Sequence, residues 1–348
     1  VLLRRNGPRA IPLLVAVLAA ALLALGTGAS LAATTPVATT PVATTPVATT
    51  PATPTACGAA GAEVLAKTAG EVAERIYASE VSSSEVSSDK RQIERDGPLL
   101  SAVERDDRAA LKTAVHTLVY SHTHIVRLRV SRGTTLLFDE GGPYILAPVA
   151  GTLRAHGKTI GHFVFSVQDD LGYVKLETRF IGAPLILRTE FGQVPIPGQL
   201  SPGPSSIPDH GPVSYARRSY EAYSFNAAAY PSGRLRISLL LPTTAALASK
   251  SCKAIKTAEL GLIAERISRR FKLSSSAFAP FIKLTHTLTH ALVYVRQGSR
   301  TVAGSSTPGP SSLPSSGTLR FHGVEYEVSS FSAPASGGQV RVYVLVAG

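Results

Sequence analysis

Hydrophobic and polar positions along this 348-residue chain fall into two periods that alternate twice. Leu65, Ala69, Val72 and Ile76 recur at spacings of four, three and four, which predicts one buried face of a helix. A polar, serine-rich stretch from Ser79 to Arg95 follows and reads as a connection. Ser101 with Glu104 then forms a capping-box pattern, and Val103, Leu111, Ala114, Val115 and Leu118 give the next helix its buried stripe. From His122 to Arg188 the period shortens to two, and the stretch reads as short strands. They are broken at Arg132-Gly133, Gly141-Gly142, His156-Gly157 and Asp169-Asp170-Leu171-Gly172.

The same order of events returns further along. Leu260, Ile263, Ala264, Ile267 and Phe271 line a second helical face, a shorter helix is expected from Ala277 to Thr289, and strand residues Ala291 to Arg296 come next. Ala73-Glu74-Arg75-Ile76 reappears as Ala264-Glu265-Arg266-Ile267. Pro202-Gly203-Pro204-Ser205-Ser206-Ile207-Pro208 reappears as Pro308-Gly309-Pro310-Ser311-Ser312-Leu313-Pro314, and the strand unit 184–247 matches 291–348. These echoes point to an old duplication. The Pro-Gly-Pro-Ser-Ser loops are either lids or rigid connections between strands.

Ahead of the body, Arg4, Arg5 and Arg9 precede the apolar run Ile11 to Leu25, and Ser30-Leu31-Ala32 offers a small-residue cleavage site. Residues 1–33 therefore read as an export signal. The run is shorter than the roughly 20 residues that a spanning helix needs, which favours cleavage over anchoring. Residues 34–56 repeat Thr-Thr-Pro-Val-Ala, an extended linker without a core. The expected location is secreted or at the extracytoplasmic cell surface.

The formal charge is +12. Its arginines are scattered, with no aromatic-interleaved motif, so no nucleic acid is expected. The expected partners are a small-molecule ligand, with a membrane receptor or an anionic cell-wall polymer besides. Cys57 and Cys252 each precede a helix, and in an oxidising compartment they suggest a disulfide.

Region 57–190 resembles the extracytoplasmic Cache (PAS-like) sensor domains, on its order of helices and strands and on phrases such as Leu128-Arg129-Val130 and Gly157 to Ser166. The resemblance implies an α+β fold: PAS/Cache-like antiparallel sheets with long N-terminal helices, in two tandem domains at 57–183 and 184–348. It also implies a small-molecule pocket covered by loops. No complete ligand motif of the family is present, so candidate ligand-binding residues come from strand geometry alone: Arg127, Arg129, Tyr144, Ser166, Gln168, Asp169, Asp170 and Tyr173. Arg127 and Arg129 are either exposed sheet residues or a clamp for a carboxylate. Asp169 and Asp170 either build a turn or accept an ammonium. Both sharper readings together favour an amino acid; an organic acid also fits the arginines.

No cofactor, metal site or catalytic activity is expected. His286 and His290 have helical spacing, and His116, His122 and His124 cluster, but no HExxH motif accompanies them. The chain has no GxSxG, Walker or Rossmann pattern, and Ser87-Ser88-Asp89-Lys90 matches SxxK inside a polar segment without its partner motifs. The competing reading is a structural or wall-associated protein that binds anionic envelope polymers.

Overall fold

The computed structural model describes residues 55–121, 124–142, 145–196, 199–230 and 233–348. The expected leader, nearly all of the linker, His122 and Tyr144 lie outside them. Helix α1 (Gly61–Ser82) buries Ala66, Ala69, Val72, Ala73, Ile76 and Tyr77. The serine-rich stretch expected as a connection is instead helical: α1 runs on to Ser82, and α2 (Ser84–Arg95) starts at once. Two local features account for this. Ser83 caps α2 by accepting from Val86 N at 3.1 Å, and Val86, Asp89 and Ile93 supply a buried stripe at helical spacing.

The next helix does not start on the Ser101 capping box. Helix α3 (Gly97–Glu104) begins four residues earlier, where Asp96 accepts from Leu99 N at 2.8 Å and Pro98 occupies the first turn. Asp106 then takes a left-handed conformation (φ 56°), and Asp107 caps α4 (Arg108–Ser121) by accepting from Ala110 N. A left-handed residue and a second cap divide what the apolar pattern merges.

Strands β1 (Arg127–Arg132), β2 (Thr135–Gly141), β4 (Val149–Ala155) and β5 (Lys158–Ser166) form an antiparallel sheet in the order β2-β1-β5-β4, with short β3 (Ile145–Leu146) in the intervening connection. The β4–β5 hairpin turns on His156 and Gly157, both at positive φ (47° and 76°), the geometry that matches strand twist. After β6 (Gln168–Asp169) comes α5 (Asp170–Phe180), in a stretch whose alternation predicts strand. Tyr173, Val174, Glu177 and Phe180 are its buried positions, and their three- and four-residue spacing gives it away.

The second sheet contains β7 (Leu185–Thr189), β8 (Gly192–Gln193), β9 (His210–Tyr215), β10 (Arg218–Ala227) and β12 (Leu235–Pro242), in the order β8-β7-β12-β10-β9. Short β11 (Ala229–Tyr230) leaves it to pair with β3, which also pairs with β6. Helices α6 (Cys252–Ser268) and α7 (Phe278–Thr289) lead into the third sheet: β13 (Leu292–Gln297), β14 (Arg300–Gly304), β15 (Ser316–Phe321), β16 (Val324–Ala335) and β17 (Gly338–Ala347). Its order, β14-β13-β17-β16-β15, repeats that of the second sheet.

One central core joins α1, α5, α6 and α7 to the inner faces of the second and third sheets, through residues such as Ile76, Phe180, Ile237, Ile263, Phe281, Val293 and Val342. A separate core packs α2, α3 and α4 on the first sheet through Ile93, Leu99, Leu111, Leu128, Phe163 and Phe165. Helix α1 thus lies on β10, β12 and α6, away from the first sheet that follows it in sequence. The two Pro-Gly-Pro-Ser-Ser loops run over the outer faces of the second and third sheets. There Ile207 and Leu313 complete small apolar clusters with Tyr220 and Leu240, and with Tyr294 and Leu345. Cys57 and Cys252 are bonded, with Cα atoms 4.8 Å apart, which ties the starts of α1 and α6 together. Among the described residues, no helix is long and apolar enough to cross a membrane.

Candidate ligand site on the first sheet

Alternation along β1 sends Leu128 and Val130 into the helical core and leaves Arg127 and Arg129 on the opposite, half-exposed face. There Arg127 grips Asp139 with two bonds, Nε to Oδ1 at 2.7 Å and Nη2 to Oδ2 at 2.9 Å, and donates again to Gly142 O at 2.8 Å. Its guanidinium is therefore engaged by its own sheet. Arg129 stands opposite Asp139 on β2 and opposite Val164 on β5.

The other described candidates gather elsewhere, between α1, β6 and α5. Ser166 is buried and its hydroxyl donates to Leu146 O. Gln168 Nε2 donates to Glu80 of α1 at 2.9 Å. Asp169 is the N-cap of α5, accepting from Gly172 N at 2.5 Å, and Asp170 accepts from Leu171 N in the first turn. The Asp-Asp-Leu-Gly segment thus opens a helix. Tyr173 is fully buried with its ring 5.3 Å from Tyr77, edge to face. These side chains form a packed polar junction that adjoins the Arg127–Arg129 face at Ser166, the cross-strand partner of Arg127.

The junction holds an acid that the sequence pattern does not single out. Glu177 is 1% exposed, and neither of its carboxyl oxygens has a hydrogen-bond partner; the nearby Tyr173 hydroxyl has none either. Burial above all pushes Glu177 up to about 8, with the Tyr173 hydroxyl acting against it and Glu80 adding to it. The Tyr173 hydroxyl is raised well above its ordinary range by burial and by Glu177. Glu80 is raised too, chiefly by burial.

A ligand-sized hollow of about 540 Å³ lies beside the open face of the sheet, between α2 and the edge strand β4. Its walls are Lys90 and Glu94 from α2, Ala150 to Thr152 and Arg154 from β4, and His162 from β5. Strand alternation places His162 on the polar face, but the α2 residues escape the sequence pattern because their serine-rich segment reads as a connector. Gly151 sits under the ring of Phe163, where a Cβ would come within 2.1 Å of Cζ, so the strand stays bare at this point. Among the described residues, Lys90, Glu94, Arg154 and His162 take part in no ion pair or side-chain hydrogen bond. Three basic groups and one acid, uncommitted around one hollow, can receive a carboxylate and a nearby ammonium together.

The described histidines that the sequence groups by spacing are held within the fold. His116 meets Glu140 at 2.8 Å, His124 meets Glu85 at 2.6 Å, and His286 Nδ1 meets Ala291 O at 2.9 Å. His290 caps α7 in a left-handed conformation. No grouping of three metal-ligating side chains occurs among the described residues.

The repeated antiparallel sheets and their long helices place the chain in the α+β class. Fold comparison finds it similar to the ligand-binding domain of the Pseudomonas fluorescens chemoreceptor CtaA in complex with L-alanine, at 12% identity, covering 51% of this chain and 95% of that one, TM-score 0.29. It is also similar to the Vibrio cholerae LuxQ periplasmic domain, at 13% identity, 53% and 97% coverage, TM-score 0.29. A third similar structure is the ligand-binding domain of the Pseudomonas aeruginosa PAO1 amino acid chemoreceptor PctC in complex with GABA, at 13% identity, 48% and 99% coverage, TM-score 0.24. No family model and no curated protein matches the chain.

Proposed function

We propose that this chain is an exported, sensor-like protein that binds a small amino acid or organic acid in the hollow between α2 and β4. One observation carries the reading: Lys90, Arg154 and His162 surround that hollow with none of them paired, and Glu94 is its one acid, beside an open polar sheet face. Basic side chains left uncommitted around a concavity favour a carboxylate ligand, and Glu94 gives an amino acid a place for its ammonium. Export is supported by the arginine-led apolar run Ile11 to Leu25.

A thermal-shift screen of amino acids and organic acids tests the proposal. At least one compound should raise the melting temperature of the full chain, and Lys90→Ala with Arg154→Ala should abolish that rise. A screen in which no compound stabilises the protein would remove the reading. The scattered positive charge favours a second reading, a scaffold held to anionic wall polymer. That one requires salt-sensitive adsorption to purified polymer, and it falls if nothing binds at low ionic strength.

A further inference from the structure

We infer that a second site, between α1 and β10, binds a small organic ammonium that carries no carboxylate of its own. This inference is independent of the groove beside α2. The second and third sheets have their outer faces filled by apolar clusters under the Pro-Gly-Pro-Ser-Ser loops, so a guest is not accommodated there. On the inner side of the second sheet, however, a pocket of about 160 Å³ remains between helix and strand. At about 30 Å³ per water it holds about five waters, the size of a cation with a handful of heavy atoms.

Strand alternation builds its chemistry. Residues 221, 223 and 225 of β10 point at α1, and 220 and 222 point at the outer cluster. Tyr223 packs its ring on the backbone of Gly70, reaches Glu74 Oε1 with its hydroxyl at 3.0 Å, and meets the tilted ring of His210 at 4.8 Å. Beside it Glu221 lines the pocket with only 9% of its surface exposed, and it makes no hydrogen bond or ion pair. Glu63 lines the same pocket from α1, and Lys67 stands there as its only lysine or arginine without pairing with either acid.

A carboxylate on a mostly buried side chain that lines a pocket and has no protein counter-charge favours a cation beside it. Two carboxylates repel a carboxylate-bearing guest, so a simple amine fits and an amino acid does not. The described residues contain no grouping of three ligating side chains, which disfavours a metal ion in the same place. Burial, with Glu63 adding to it, raises Glu221 above the usual carboxylate range, as expected of a carboxyl awaiting a counter-ion.

Titration calorimetry on the full chain with ethanolamine and with tetramethylammonium chloride tests the site. At least one probe should bind, and Glu221→Gln, which keeps the shape and removes the charge, should weaken it about tenfold or more. Lys67→Ala, which removes a competing positive charge, should tighten binding. Arg154→Ala, in the other groove, should leave it unchanged, so the two sites fail separately. Glu221→Gln should melt no lower than wild type, which shows that any loss is not unfolding. The site is refuted if neither probe gives heat, if Glu221→Gln binds as wild type does, or if sodium or calcium chloride binds in place of both amines.

Discussion

Glu177 shows what a single side chain can do to the whole stability curve. It is 1% exposed beside the Tyr173 hydroxyl, and burial pushes it up to about 8 in the folded chain against an ordinary value of 4.5. The folded state therefore keeps a proton that the unfolded state has released between these two values. Stability contributed by that proton is complete below pH about 4.5 and is lost as pH rises toward 8, at about 1.4 kcal/mol per unit. Urea unfolding across pH 5 to 8 should show this decline, and Glu177→Gln should flatten it. A wild-type curve that stays level through that window would place a compensating partner beside Glu177. None of this is legible from the strand-like alternation of residues 162–188, because a glutamate in a short amphipathic stretch gives no sign of which element will bury it. The cap is present in the sequence as Asp169 with Gly172, but aspartates before glycine serve turns and helix starts alike.

Helix α1 is legible because Leu65, Ala69, Val72 and Ile76 keep strict spacing, and the structure explains why a glycine lies among them. The Tyr223 ring crosses the helix at Gly70, where a Cβ would stand 2.1 Å from Cδ1. At the matching place on α6, Gly261 faces Ser329 of β16, where the added Cβ would stand 2.5 Å from Oγ and 3.0 Å from Cβ. Alanine gains about 1 kcal/mol over glycine inside a helix, so the two sites weigh that gain against different obstacles. Gly70→Ala must displace a buried aromatic ring and should cost about 2–3 kcal/mol in chemical denaturation. Gly261→Ala meets a hydroxyl that can turn aside and a Cβ that needs a backbone shift of a few tenths of an ångström, and should cost less than Gly70→Ala, under about 1 kcal/mol. Equal losses at the two glycines would show that backbone freedom, rather than the tyrosine, sets the requirement. The elements that the sequence pattern misplaces, α2, the start of α3 and α5, share one cause. In each a serine or aspartate cap opens a helix within a segment whose polar content or alternation looks non-helical.

At the scale of the molecule, the recurring Ala-Glu-Arg-Ile phrase takes on a structural meaning. Arg75 of α1 donates to Leu288 O at 2.5 Å, four residues before β13, and Arg266 of α6 donates to Ile181 O, four residues before β7. Each helix thus braces the chain entering the other's sheet, as in a two-fold interface folded into one polypeptide. The Cys57–Cys252 bond closes this pair at its start across 195 residues. Replacing both cysteines with serine should lower stability by up to about 5 kcal/mol in the loop-entropy picture, and reductant should do the same to wild type in a melting experiment. Within this frame the first sheet and α2–α4 are an insertion, because they have their own core and because the chain leaves and returns at one place, where Glu80 of α1 meets Gln168 of β6 at 2.9 Å. Insertions with adjacent ends are separable when little packing crosses the boundary. Excision would break the pairing of β3 with β6 and β11, together with the bond from Ala147 N to the Tyr77 hydroxyl at 2.7 Å. Replacing residues 84–166 with a short Gly/Ser linker should therefore leave a soluble chain of reduced stability that still unfolds cooperatively. It should keep the ammonium site at Glu221 and lose every ligand of the α2–β4 groove. An excised chain that binds ANS and has lost its near-ultraviolet tyrosine signal would make the first sheet an integral part of the central core instead.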